Sequence, residues 1–254
     1  MQNQKKAIFG TGICHKHKST QAIPMNNEYS TNKRSMLLGI LFCFSIFLCC
    51  TLLNPKTVFA LLGLKKDYFL LLLISRLMQW FCLLLILLYA LKIEKQDFLL
   101  WKNRSYKLPA FVLHVLLLYL AVVVTVIPIR ILINLFELQQ ASKQLGIITS
   151  VMAEYPIMIP FVCITAGIVE EYVFRGYLQP RLEAVTKSPF LGILISAVLF
   201  GAGHYTYGTL DNVVVPFVIG LVFAVYYWKY RNIYTLIVCH TLIDLISISA
   251  MVYK

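Results

Sequence analysis

Long apolar runs dominate this chain and restrict the kind of fold it can adopt. A helix needs about 20 residues to cross the ~30 Å hydrocarbon core of a bilayer, and most of the runs reach or approach that length. Because backbone groups in lipid must hydrogen-bond within the chain, the runs favour helices as the spanning structure. The runs cover residues 36–53, 68–91, 110–136, 156–174, 190–204, 213–228 and 233–252.

The composition excludes an ordinary soluble domain. Of the 254 residues, 59% are hydrophobic and only 13% are charged, whereas a soluble domain carries about 25% charged residues. We therefore predict an all-α, polytopic transmembrane helical bundle of about seven spans, within a range of about six to eight. The length suits one bundle without a second soluble domain.

The distribution of basic residues predicts the orientation. Sixteen of the 23 lysines and arginines fall in segments that alternate with the spans on the side of the N-terminus, and five fall on the other side. By the positive-inside rule the N-terminus is cytoplasmic, in a multi-pass protein of the cell membrane. We divide the chain into a disordered basic tail (1–35), N-terminal transmembrane helices (36–136) and a functional transmembrane domain (156–252).

The net charge of +12 raises the question of nucleic-acid binding. Such binding requires a basic folded face or a recognised module, and the sequence shows neither. The charge is spread over short loops and the tail, which is typical of contacts with an anionic membrane surface. We predict the lipid bilayer as a partner and no nucleic acid.

The cysteines do not predict a disulfide framework. There are seven, six of them lie inside apolar segments, and no CxxC pair occurs. An odd number in this setting is typical of small apolar fillers in a helical core.

Three polar clusters interrupt the apolar runs of the C-terminal half. Ionisable groups inside hydrocarbon cost about 2.5–3.5 kcal/mol each, so they usually face a cavity and mark a functional site. The clusters are EEYVFR at 170–175, FGAGH at 200–204 and HTLID at 240–244.

The first cluster predicts two carboxylates with different surroundings. On a helix, Glu171 and Arg175 are four residues apart and lie on one face. Glu170 lies about 100° round the helix axis, so it can point into a cavity while the arginine holds Glu171. The alternative is an ion pair that only locks two helices together.

The other clusters contribute imidazoles. Phe200 is four residues before His204, so the two rings should pack together, and His240 and Asp244 have the same spacing. Asp244 can hold one imidazole nitrogen of His240 and leave the other directed at a substrate. Plain polar contacts between helices are the alternative. Together the carboxylates and imidazoles can activate a water molecule and stabilise an oxyanion, or they can bind zinc.

The ordered motifs EExxxR, FxxxH and HxxxD/N on successive spans resemble the CPBP family, also called Abi or CAAX-protease-like. This family includes the type II CAAX prenyl endopeptidases and bacterial bacteriocin-processing and self-immunity proteins. The resemblance covers residues 156–252. It implies an intramembrane endopeptidase that acts on a membrane-associated peptide or protein substrate.

The resemblance also implies roles for individual residues. Glu170 would activate water, with Glu171 and Arg175 supporting it. His204 would be a water ligand or acid/base partner, and His240 with Asp244 would polarise the carbonyl or bind the oxyanion, beside Phe200. Zinc held by Glu170, His204 and His240 is an alternative. We favour water activated by glutamate without a cofactor, because no HExxH motif occurs and the three residues come from three helices.

Two other functions remain open from the sequence. A proton-coupled transporter can use the same residues, but it should show inverted repeats, which are not found. A non-catalytic immunity or partner-binding protein would keep the fold without activity.

The sequence also poses a geometric problem. At ~1.5 Å per residue, Glu170 and His240 fall about 8–11 Å from the inner face and His204 about 20 Å. They can meet only if the fourth helix continues past Arg175 or the fifth begins below the surface.

Overall fold

The computed structural model describes residues 33–254 apart from 53, 54, 62, 64, 66 and 139, and only the backbone of 51, 52, 55, 56 and 58. Nearly all of the predicted tail, 1–35, lies outside the described residues. Regular structure in the described part is helical throughout, which confirms the all-α prediction. The α-helices are α1 (Lys33–Leu52), α2 (Pro55–Leu61), α3 (Tyr68–Leu88), α4 (Leu108–Leu135), α5 (Lys143–Glu154), α6 (Met158–Glu171), α7 (Gln179–Thr186), α8 (Pro189–Ala202), α9 (Asp211–Tyr230) and α10 (Ile233–Val252), with π-helices at Tyr89–Glu94 and Tyr172–Leu178 and a 3₁₀ turn at Tyr205–Tyr207.

Six of the described helical segments are long and apolar enough to cross a membrane. They coincide with six of the predicted apolar runs, and this supports the polytopic bundle. The remaining run, 156–174, forms α6 and the start of a π-helix, and its carboxylates and arginine set it apart from those six. The six are Lys33–Cys50, Tyr68–Glu94, Leu108–Leu135, Pro189–Tyr207, Asp211–Tyr230 and Ile233–Val252.

Short polar side chains fix where several of these helices begin. Asp67 accepts a hydrogen bond from the backbone N–H of Leu70 at the start of α3. Ser188 does the same for α8, and Asn232 for α10. Such N-caps satisfy backbone donors that have no partner inside the helix, and each typically contributes about 1 kcal/mol.

The helix that carries the glutamates continues well past Arg175. α6, the π-helix Tyr172–Leu178 and α7 follow one another without a break to Thr186, where Lys187 adopts a left-handed conformation with φ of 57°. At ~1.5 Å per residue, Glu170 lies about 24 Å from the end of α7 and His204 about 22 Å from the start of α8. The first solution to the depth problem is therefore the correct one: the fourth helix continues past Arg175.

Close contact between α6 and α10 brings two of the polar clusters together. A Cβ atom at Gly167 would lie only 3.0 Å from the carbonyl oxygen of Ile237, so this position leaves no room for a larger side chain. Small residues at helix contacts let backbones approach closely in membranes. One turn beyond Gly167, Glu171 reaches α10.

A second charged contact, which the sequence did not predict, anchors α7 to the end of α3. The Nε of Arg181 donates to both carboxylate oxygens of Glu94, at 2.8 and 2.9 Å, and both side chains are fully buried. Tyr177 Oη also donates to Glu94, at 3.3 Å. This contact joins the N-terminal helices to the helix that carries the glutamates.

Candidate active site

Glu171 is the centre of the polar contacts between α6 and α10. Its Oε1 accepts a hydrogen bond from Arg175 Nη1 at 2.9 Å and another from His240 Nδ1 at 2.7 Å. The Glu171 and Arg175 side chains are fully buried. The predicted pairing across one helical turn is confirmed, whereas the bond to His240 was not predicted.

Arg175 is enclosed by aromatic rings and a backbone carbonyl. Its guanidinium carbon lies 4.2 Å from the centroid of the Phe200 ring and 5.5 Å from that of Phe223. Its Nη2 donates to the carbonyl oxygen of Gly220 at 3.2 Å, where a Cβ would lie 3.3 Å from the same nitrogen. Phe200 therefore contacts the charged pair as well as His204, and it contributes a cation–π interaction.

His240 presents its two ring nitrogens to different carboxylates. A carboxylate paired with an arginine is an acceptor only, so Nδ1 carries the hydrogen that is donated to Glu171. Nε2 lies 3.4 Å from Asp244 Oδ2 and 3.9 Å from Glu170 Oε2. We expected Asp244 to hold one nitrogen and the other to be directed at substrate. In the structure Glu171 holds that other nitrogen, and Asp244 shares Nε2 with Glu170.

Glu170 differs from Glu171 in its surroundings. Its side chain is 17% exposed, and its Oε2 is buried without a hydrogen-bond partner among the described residues. It lines a cavity of about 630 Å³ between α1, α3, α5, α6 and α8. Of the two adjacent carboxylates, Glu171 is thus paired with Arg175 and His240, and Glu170 lines the cavity.

His204 lines the same cavity as Glu170. Its Nδ1 lies 2.9 Å from the carbonyl oxygen of Phe200, which can only accept, so Nδ1 donates and Nε2 is left as an acceptor. The rings of His204 and Phe200 are 5.1 Å apart, and the predicted contact between them is confirmed. His204 makes no ion pair with Glu170 among the described residues, but both side chains line the same cavity.

The cavity is also lined by polar residues for which the sequence predicted no functional role. Ser75, Arg76 and Gln79 of α3 line it, together with Gln144 of α5 and Tyr207. Arg76 is a charged residue inside the predicted apolar run 68–91, and this is the signal by which the sequence could have indicated it. Most of the remaining lining is apolar, so the space suits a largely apolar molecule with a few polar groups.

The side chains that were considered as zinc ligands do not form one group in the described part of the chain. His240 is absent from the lining of the cavity that Glu170 and His204 share. Among the described residues, no group of three or more His, Cys, Asp or Glu side chains is arranged to hold a metal ion. A protein zinc site needs at least three such ligands around one point.

One comparison with known proteins found a match, and the matched range includes this site. Residues 152–246 match the family model described as type II CAAX prenyl endopeptidase Rce1-like. Neither the curated proteins nor the solved structures gave a match. The matched range contains α6 to α9 and most of α10, and therefore all three polar clusters.

Proposed function

Residues 152–246 match the Rce1-like model of type II CAAX prenyl endopeptidases, and from this match we propose that the chain is an intramembrane endopeptidase that uses water activated by Glu170. The observation that carries the proposal is the contrast between adjacent carboxylates. Glu171 accepts hydrogen bonds from Arg175 and His240, whereas Glu170, which lines the cavity, has an oxygen without a hydrogen-bond partner among the described residues. A general base needs a free oxygen within reach of its proton donor.

In the proposed reaction, Glu170 takes a proton from a water molecule in the cavity. The water oxygen bonds to the carbonyl carbon of the scissile peptide and forms a tetrahedral oxyanion. His204 Nε2 accepts a hydrogen bond from the second O–H of the water and so positions the water molecule. When the intermediate collapses, the carbon–nitrogen bond breaks and the proton on Glu170 passes to the leaving amine, which returns the carboxylate to its starting state.

The oxyanion requires a donor that is already in place. His240 Nε2 lies 3.9 Å from Glu170 Oε2, so when this nitrogen carries a hydrogen it can donate to an oxyanion that forms beside Glu170. Glu171 fixes the ring through Nδ1, and Arg175 fixes Glu171 in turn. Donors that need no reorganisation are usually the largest contribution to this kind of catalysis. Asp244 Oδ2, 3.4 Å from Nε2, can accept a hydrogen bond from the same nitrogen and help to hold the ring in place.

The cavity supports a peptide substrate that is associated with the membrane. Its volume of about 630 Å³ falls within the ~300–1,000 Å³ typical of ligand sites. Its mainly apolar wall suits hydrophobic side chains. Within this class we include the processing of bacterial peptides such as bacteriocins, or self-immunity against them.

The test compares peptides released by membranes that contain the wild type or Glu170→Gln, identified by mass spectrometry. This substitution keeps the shape of the side chain and removes the base. We expect one or more peptides to disappear in Glu170→Gln and to persist in Glu154→Gln, a matched change at an exposed glutamate of α5. Identical peptide sets from all three proteins would refute the proposal.

A further inference from the structure

Two cysteines meet where α1 and α3 form one wall of the cavity. The Sγ atoms of Cys50 and Cys82 lie 3.2 Å apart, although the residues are 32 positions apart in the chain. Both side chains are partly buried, and both line the cavity that Glu170 lines. The sequence alone predicted cysteines that merely fill apolar space. Two thiols in direct contact on a cavity wall can also react with each other.

The geometry is closer to a disulfide than to a metal site. An S–S bond is about 2.05 Å long, so bond formation requires the sulfurs to approach by about 1.2 Å from their separation of 3.2 Å. A metal ion with bonds of about 2.3 Å to sulfur would need further ligands. The described residues contain no group of three or more suitable side chains.

The location determines what a bond would do. α1 also contacts the π-helix that follows α3, where Tyr89 Oη donates to the carbonyl oxygen of Ser35 at 3.0 Å and the Tyr89 ring stacks on Phe42 at 5.1 Å. Cys50 lies about 22 Å further along α1 than Ser35, at ~1.5 Å per residue. A covalent bond there would fasten the other end of α1 to α3.

We propose that Cys50 and Cys82 form a reversible disulfide that ties α1 to α3 and prevents a membrane-bound peptide from entering the cavity between these helices. The oxidant is a small organic disulfide. The Cys50 thiolate attacks it and releases one thiolate, which gives a mixed disulfide. The Cys82 thiol then loses its proton and attacks the Cys50 sulfur, releasing the second thiolate. Two cysteine thiols are oxidised, and one organic disulfide is reduced to two thiols.

The first test asks whether the bond forms. The purified protein in liposomes is treated with 2,2′-dithiodipyridine, a small apolar disulfide, and digested without reduction. We expect a linked pair of peptides that contain Cys50 and Cys82, which dithiothreitol separates. Cys49→Ser, at an exposed neighbour of the pair, should still give the link, and Cys82→Ser should not. Absence of the linked pair in the wild type would overturn the proposal.

The second test asks whether the bond closes the cavity, a part that rests on the proposed peptide cleavage. Oxidation should remove most of the cleavage by the wild type, and dithiothreitol should restore it. In Cys82→Ser, the ratio of activities before and after oxidation should stay near one. A wild type that is fully linked and equally active would overturn the closure.

Access is also measured without proteolysis, so that failure of this inference can be told from failure of the proposed function. Cys43 lines the same cavity and is 4% exposed. A bulky lipid-soluble maleimide should label Cys43 more slowly in the oxidised wild type than in the reduced protein. Equal rates would overturn the closure even if the protein cleaves no peptide at all.

Discussion

The continuous helix from α6 to α7 carries two arginines, and each forms a buried pair with a carboxylate. The two pairs are organised differently. At the inner end, Arg181 binds both oxygens of Glu94 and donates to the carbonyl oxygens of Phe98 and Asp97. At the level of the cavity, Arg175 binds one oxygen of Glu171, and its Nε and the second oxygen of Glu171 have no described partner.

The two pairs differ in how fully their polar atoms are satisfied, and the proposed reaction uses only the Arg175 pair. Burial of charge is costly, and the cost is offset only when hydrogen bonds satisfy the remaining donors and acceptors. The Arg181 pair meets this condition. The Arg175 pair meets it less well, and its carboxylate is shared with His240, next to a glutamate whose Oε2 lacks a described partner. Incomplete satisfaction at a cavity is typical of a functional site.

The largest effect should come from changes next to the Arg175 pair. We expect Glu170→Ala, His204→Ala and His240→Ala each to lower turnover by about 10²–10⁴-fold, the usual contribution of acid–base groups. The double variant Glu170→Ala/His240→Ala should be no slower than the worse single variant, since the two act as a unit. Turnover by purified proteins in liposomes measures this, and near-normal turnover by any single variant removes that residue from the set.

The next effect concerns stability and distinguishes the two arginines. Removal of one partner of a buried pair costs about 3–5 kcal/mol of unfolding free energy, so Arg175→Met and Arg181→Met should both unfold more easily in denaturant. Only Arg175→Met should also lose activity per folded molecule, because it releases Glu171 and thereby His240. Full activity and an unchanged unfolding midpoint in Arg175→Met would mean that its pair with Glu171 is of no consequence.

The same comparison shows what the sequence could predict. The contact of Glu171 with Arg175 follows from a spacing of four on one helix, as does that of Phe200 with His204. The bond from His240 to Glu171 joins residues 69 positions apart, and it depends on the register in which α6 and α10 pack. Local periodicity carries no information about that register.

The Glu94 pair was missed for the same reason. Glu94 and Arg181 are 87 positions apart, and both lie outside the predicted apolar runs. The helix continues from Glu171 to Thr186 and so brings Arg181 to Glu94. The sequence did not predict this continuation, because polar residues at 179, 181 and 183 interrupt the apolar pattern. Hydropathy recognises apolar spans, whereas this helix is buried by protein and can include charges.

A smaller effect tests whether each buried pair only stabilises the fold or is also needed for activity. Replacing both members of a buried pair with apolar residues removes the unpaired charge that a single change leaves. We expect Glu94→Leu/Arg181→Met to be destabilised less than the sum of its single variants, with a coupling of about 0.5–3 kcal/mol, and to keep its activity. Glu171→Leu/Arg175→Met should show similar coupling in unfolding but no recovery of activity. Recovered cleavage in the second double variant would show that this pair is structural too.

The smallest effect concerns Glu183, near the end of α7 and outside the candidate spans. Its side chain is buried, and its Oε2 has no described partner. Burial raises the pKa of this carboxyl, and the nearby Arg231 opposes that shift only in part. The folded protein therefore holds the Glu183 proton more tightly than the unfolded chain does. The contribution of Glu183 to the free energy of unfolding falls as pH rises from about 4.3, the pKa in the unfolded chain, through the raised pKa of the folded protein.

Glu183→Gln cannot titrate at this position, so we expect its melting temperature to rise relative to that of the wild type as pH rises from mildly acidic to neutral. The exposed Glu154→Gln should show no such trend, and a difference that is constant with pH or of opposite sign would mean that Glu183 is ionised in the fold at no cost.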